Sequence, residues 1–382
     1  MIITTSEALA TLCAALRSAP YVAVDTEFVR ERTYYARLCL VQIAHGTHAA
    51  VIDPLARGID LAPLHALLAD TAVLKVFHAA GQDLEIFSQT MGAVPAPVFD
   101  TQIAASVLGY GESPGYGALV SAVLGVHLDK ASQRADWSKR PLTDRLVAYA
   151  LGDVTHLCTV YDTLSAQLFG RRRTAWVTEE MRALSDPTRY RVLPEDAWRR
   201  VKIRNADRRA LALVRELAAW RETTAMARDL PRGWVLHDES LGEIALQAPQ
   251  TADALAQVRS MKPAFARGPD GEAILAIVAR VLAVPETWPE LPPRRAASEP
   301  DDAMVALLSA LLRARCEAEG VAPRMVATQS DLEQLAASPD AIIPALEGWR
   351  RELFGDDALA LREGRLALTG GEGGVKIERA SD

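Results

Sequence analysis

The chain has 382 residues, of which 49% are hydrophobic and 24% charged, and its formal net charge at pH 7 is −7. That length predicts two or three domains rather than one. No run of about 18 apolar residues is free of charged or polar breaks, and no basic stretch precedes the first amphipathic segment, so the expectation is a soluble cytoplasmic protein without a membrane-spanning helix.

The first twenty residues read as a short, weakly amphipathic helix. A strand is predicted over residues 21–25, and a hairpin over 38–44 and 48–53 turns at Gly46. Residues 73–77 give a further strand, 82–91 a helix and 97–100 a last short strand. From Thr101 the pattern is helical and ends in a long helix over about 143–169, with Pro141 and Thr143 suited to its start and Gly170 to its stop. Leu146, Ala150, Val154, Leu157, Tyr161, Leu164 and Leu168 form its apolar stripe. Strands with helices around them predict a layered α/β domain over residues 1–170.

Residues 171–205 read as a basic helical linker, 206–284 as an all-helical domain, 285–300 as a Pro-rich linker, 301–368 as a second helical domain and 369–382 as a disordered tail. The two helical domains share a weak pattern: a long helix, then Pro231 or Pro323, then Leu241 with Ala245 or Leu332 with Ala336. Trp220 and Leu241 are expected in the core. The four cysteines, Cys13, Cys39, Cys158 and Cys316, form no CxxC pair, so neither a zinc site nor a disulfide framework is expected. Charge is uneven: −5 over residues 1–170, +7 over 171–232 and −9 over 233–382. The basic segment includes Arg199, Arg200, Lys202 and Arg204, candidates for holding nucleic-acid phosphates.

Three carboxylate motifs carry the chemistry. Asp25 and Glu27 stand at i and i+2, so a strand projects both to one face, at the predicted end of a buried run. Two adjacent carboxylates repel unless a cation or a proton lies between them. Asp83 opens a helix, where an acid also complements the helix dipole. Tyr149 and Asp153 stand at i and i+4 and share a helix face beside the apolar stripe. Each motif alone has an ordinary reading as a solvated or helix-terminal group.

Together, Asp25, Glu27, Asp83, Tyr149 and Asp153 resemble, in order and local spacing, the motifs of the DEDD exonuclease superfamily in its tyrosine branch. The surrounding DTEFVRERTYY, LCLVQIA, KVFHAAGQDLEIF, FDTQIAA and DWSKRPLTDRLVAYALGDVTHL are similar to the ribonuclease D family; Arg145 stands where that family often has Gln. The resemblance covers about residues 1–170. It implies a ribonuclease-H-like fold, a mixed sheet flanked by helices, and two divalent ions, Mg²⁺ or Mn²⁺. Asp25 would bridge the ions, Glu27 and Asp153 complete one site, Asp83 hold the other through water, and Tyr149 orient the attacking water. Residues 206–283 resemble the helicase-and-RNase-D C-terminal (HRDC) domain, and 301–368 a diverged second copy. The implied function is a monomeric 3′–5′ exoribonuclease acting on tRNA precursors and other structured RNAs with free 3′ ends. A DNA exonuclease of the same superfamily and a non-catalytic RNA-binding scaffold are the alternatives.

Overall fold

The computed structural model describes residues 1–129, 135–204, 206–291, 301–372 and 374–379. The chain divides into two compact units. One holds residues 1–28, 38–189 and 296–382, the other 29–37 and 190–295.

The first unit contains a six-stranded sheet: β1 (Ile2–Ile3), β2 (Tyr21–Val29), β3 (Arg37–His45), β4 (His48–Ile52), β5 (Leu74–Phe77) and β6 (Val98–Asp100), in the order β1-β4-β3-β2-β5-β6. The sheet is mixed, since β3 and β4 pair antiparallel while β1/β4, β2/β5 and β5/β6 are parallel. Gly46, at φ 55°, makes the turn between His45 and its partner His48. Two residues are too few to show a period, which is why β1 escapes a sequence reading. Helices α1 (Ser6–Leu16), α2 (Ala62–Ala69), α3 (Gly81–Met91), α4 (Thr101–Val107), α5 (Tyr116–Leu124), α6 (Asp144–Gly170) and α7 (Thr174–Leu184) flank it.

β2 runs four residues beyond its predicted end, so Asp25 and Glu27 lie within the strand and not at its terminus. Strand alternation puts Tyr21, Ala23, Asp25 and Glu27 on one face, and Tyr21 and Ala23 pack in one apolar cluster with Val154 and Leu157 of α6. The Thr143 side chain caps α6 by accepting the Leu146 amide at 3.4 Å.

Residues 171–189, expected as part of a basic linker, are built into this first unit. Val177, Met181 and Leu184 of α7 are buried. Arg173 is buried as well, its guanidinium donating to the Val107 carbonyl and to the Glu319 carboxylate, each at 2.9 Å. Counting charge along the chain could not reveal this, because Arg173 is satisfied by groups 66 and 146 residues away.

The second unit is helical: α8 (Arg208–Arg228), α9 (Arg232–Val235), α10 (Asp238–Gln247), α11 (Ala252–Ala256), α12 (Pro263–Ala266) and α13 (Pro269–Ala283). Leu241 is fully buried in its core and Trp220 packs against it. Residues 292–300 of the expected Pro-rich linker lie outside the described residues. The segment before them makes a 3₁₀ turn at Pro285–Thr287, and Trp288 donates its indole N–H to the Val281 carbonyl at 2.9 Å. The 29–37 segment belongs to this unit: Tyr34 is buried beside Ala225 and Val235 and donates its hydroxyl to Glu222, which Arg232 grips with two bonds of 2.6 Å.

The C-terminal part of the first unit comprises α14 (Asp302–Glu319), α15 (Pro323–Val326), α16 (Gln329–Ala337), α17 (Gly348–Arg350) and α18 (Asp356–Arg362), followed by β7 (Leu366–Gly371) and β8 (Gly374–Arg379). α14–α16 repeat the order of α8–α10, a long helix, one turn and a medium helix, with Leu332 and Ala336 buried like Leu241 and Ala245. Both long helices end on a left-handed residue, Asp229 and Gly320. The expected disordered tail is instead largely an antiparallel hairpin: Leu368 pairs with Ile377, and both pack on the C-terminal core. Gly371 and Gly374 form the last pair of that ladder, and residues 373 and 380–382 of the expected tail lie outside the described residues.

Candidate active site

Tyr149 and Asp153 precede Val154 and Leu157 on α6, so the helix that covers Tyr21 and Ala23 also reaches the next two outward positions of β2, Asp25 and Glu27. One oxygen from each of Asp25, Glu27 and Asp153 lies within 4.8 Å of the others. These carboxylates line a cavity of about 200 Å³ with Thr26, His78, Tyr116, Tyr149 and Leu157.

Burial and mutual repulsion dominate the electrostatics. Glu27 is pushed up to about 9 by burial, then by the charges of Asp25, Asp153 and Asp83. Burial and the Asp25 charge raise Asp153 to about 8. Asp25 rises to about 6, burial outweighing the hydrogen bond from the Thr26 backbone. Left without a cation, the cluster holds protons at neutral pH. An all-carboxylate donor set suits a hard divalent cation, so the residues present fit such an ion.

Asp83 stands outside the converging trio. It is buried and raised well above the ordinary carboxylate range, mainly by burial and the Asp25 charge, and it accepts the Thr26 hydroxyl. Tyr149 is half-buried, its ring centroid 6.1 Å from that of Trp137. Burial and the neighbouring carboxylates push its phenol further above 10, so it stays protonated.

Four contributors escaped the sequence reading: Thr26, His78, Tyr116 and Asp100. Tyr116 donates its hydroxyl to the Asp153 main-chain carbonyl, and its ring centroid is 5.3 Å from that of His78. The buried Asp100 carboxylate accepts the amides of Ala79 at 3.0 Å, Ala80 at 2.9 Å and Gln102 at 2.8 Å. It thereby clamps the β5–α3 turn, in which Ala79 takes a left-handed φ of 58°. Such a conformation persists only where its surroundings over-determine it. His78 lay in a motif already singled out, whereas no local pattern marks Tyr116.

The basic segment is divided between the two units. Many of its cations are committed locally: Arg171 to the Leu108 carbonyl, Arg209 to the Leu246 carbonyl, Arg221 to Asp238, Arg228 to Asp270 and Arg232 to Glu222. Arg199 is exposed, pairs with Asp196 at 2.9 Å and lies over Trp198. Arg200, Lys202 and Arg204 are exposed and have no hydrogen-bonded partner among the described residues.

A mixed sheet flanked by helices, with carboxylates converging from a central strand and a covering helix, defines a 3′–5′ exonuclease, and residues 1–168 match the family described as 3′-5′ exonuclease. Residues 210–278 match the HRDC domain. The chain is 49% identical to ribonuclease D of Acidiphilium cryptum over 96% of this chain and 94% of that one. It is 48% identical to ribonuclease D of Gluconacetobacter diazotrophicus over 99% and 96%. Escherichia coli RNase D, an exoribonuclease involved in structured RNA processing, has the same fold, with TM-score 0.82 and 34% identity over 94% of this chain and 98% of that one. The chain belongs to the ribonuclease D family and is a 3′–5′ exoribonuclease.

Proposed function

We propose that Asp25, Glu27, Asp83 and Asp153 hold two divalent ions, Mg²⁺ or Mn²⁺, and that the protein removes nucleoside 5′-monophosphates from the 3′ ends of tRNA precursors and other structured RNAs. The observation carrying this reading is the convergence of three carboxylates within 4.8 Å, with no basic side chain paired to them among the described residues. When bound, the ions lower the pKa of water and stabilise charge on the phosphate and the leaving 3′ oxygen. The Asp25 charge raises Glu27, Asp83 and Asp153 alike, and Asp25 would help to hold both ions. Asp83, which accepts the Thr26 hydroxyl, would hold an ion through water. Tyr149 acts as a hydrogen-bonding orienter of the attacking water, because a phenol held above its usual pKa is no base at neutral pH. Arg199, Arg200, Lys202 and Arg204 contact phosphates upstream of the 3′ end; their exposure supports this role.

Hydrolysis of a labelled tRNA precursor with and without Mg²⁺ tests the reading. Asp25→Asn, Glu27→Gln and Asp153→Asn should each abolish nearly all activity while circular dichroism stays native. A variant that retains more than about a tenth of wild-type turnover, roughly 1.4 kcal/mol of barrier, removes its residue from the ion-holding set.

A further inference from the structure

The segment DWSKRPL, residues 136–142, leads into α6 and holds none of the groups assigned to hydrolysis above. Its Arg140 nevertheless commits its whole guanidinium within the first unit. Nε and Nη2 grip the two carboxylate oxygens of Asp53, just after β4, each at 2.7 Å, and Nη2 also donates to the Cys39 carbonyl of β3 at 2.8 Å. Nη1 turns back on its own loop, donating to the Trp137 carbonyl at 2.7 Å and to the Lys139 carbonyl at 2.8 Å. The Asp53 carboxylate is buried and the Arg140 side chain is 26% exposed, so the pair is a shielded, two-pronged, charge-assisted one. The loop is thereby pinned to β3 and to the end of β4. What the pin holds in place is Trp137, which is 2% exposed and whose indole N–H has no hydrogen-bond partner among the described residues. Its ring centroid lies 6.1 Å from that of Tyr149, with 34° between the planes, a separation at which aromatic rings touch. Tyr149 lines the carboxylate cavity and Trp137 does not.

We propose that the 136–141 loop, pinned by Arg140, sets the orientation of the Tyr149 ring through Trp137, which makes Trp137 and Arg140 positioning residues for hydrolysis. The inference rests on Tyr149 acting as the orienter of the attacking water. A phenol on a helix can swing between staggered rotamers. A hydroxyl that must direct a water keeps its geometry only when the ring is braced by a neighbour whose own place is fixed. Trp137 is that brace. Arg140 ties its main chain to the same sheet that carries Asp25 and Glu27, so the phenol and the carboxylates share one frame. A lysine at position 140 keeps the charge but has no planar fork, and it cannot hold Asp53 with two bonds while reaching three carbonyls.

The test uses the full chain with saturating Mg²⁺ and a labelled oligoribonucleotide, and measures kcat and KM for Arg140→Lys, Trp137→Ala and Trp137→Phe, each alone and combined with Tyr149→Phe. A positioned group displaced by about 1 Å can cost on the order of 100-fold, so Arg140→Lys and Trp137→Ala, which loosen the ring, should each lower kcat about tenfold. KM should stay within about twofold, because substrate binding does not use the phenol. Trp137→Phe keeps an aromatic face against Tyr149 and should stay within about threefold of wild-type kcat. In the Tyr149→Phe background, Arg140→Lys and Trp137→Ala should each cost less than about twofold, since the hydroxyl they position is gone. A loop that serves only the fold would cost the same factor in both backgrounds. The proposal is overturned if the folded variants turn over normally, if their loss falls on KM, or if it persists undiminished without the Tyr149 hydroxyl. Should Trp137→Ala fail to fold, Arg140→Lys alone decides. Normal turnover of Tyr149→Phe by itself would instead remove the reading of the phenol as orienter, a separate result.

Discussion

At the scale of single residues the candidate site is a destabilising arrangement. Glu27 and Asp153 have folded-state pKa values of about 9 and 8, against ordinary values of 4.5 and 3.8. Between those limits the folded chain binds more protons than the unfolded one, so these groups make the cation-free protein lose stability as pH rises. Added Mg²⁺ should restore it at pH 8, and Glu27→Gln should raise the melting temperature of the EDTA-treated protein there by roughly 2 to 4 °C, about 1 kcal/mol of relieved repulsion. Calorimetry at pH 8 checks this, and an unchanged or lower melting temperature contradicts it. Tyr149→Phe addresses the chemistry: kcat should fall about 100-fold with little change in KM, since water orientation matters in the transition state and not in binding. Normal turnover at saturating Mg²⁺ would make the phenol a packing group. These pairs were legible in the sequence because strand and helix periods fix Asp25 with Glu27 and Tyr149 with Asp153 locally. The Thr26–Asp83 bond and the His78–Tyr116 contact join residues 57 and 38 positions apart, a relation no local period encodes.

At the scale of elements, what matters is how short connections hold functional side chains still. The turn from β5 into α3 delivers His78 and then Asp83, and Asp100, capping α4, takes two of its amides as well as its own cap bond. Asp100→Ala leaves three amides without their carboxylate, so urea denaturation should show a loss of about 3 kcal/mol. Activity should fall beyond what the lost stability explains. Native stability in that variant would mean that water replaces the clamp at no cost. The long apolar stripe of α6 was readable in advance. The packing of α7 and the β7–β8 hairpin were not: charge and glycine content described exposed segments, whereas buried partners distant in the chain decided both.

At the scale of the molecule, the basic segment tests how substrate is held. Replacing Arg199, Arg200, Lys202 and Arg204 with Ser should weaken RNA binding and flatten its log–log salt dependence by about 0.7 for each lost phosphate contact on a single strand. Turnover at saturating RNA should stay near normal. An identical salt slope in a folded variant would send the RNA path elsewhere.

The burial of Tyr34 in the helical unit constrains how the chain is made. Its partners Glu222 and Arg232 lie 188 and 198 residues further on. At about 5 to 20 residues per second, a ribosome needs roughly 10 to 40 s to supply them after Tyr34 has emerged. Throughout that interval an aromatic segment adjoining the Asp25–Glu27 strand waits without its pocket. Truncated nascent chains that stop before residue 222 should therefore expose Tyr34 and Tyr35 to chaperones that hold apolar surface, and chains extended past residue 235 should release them.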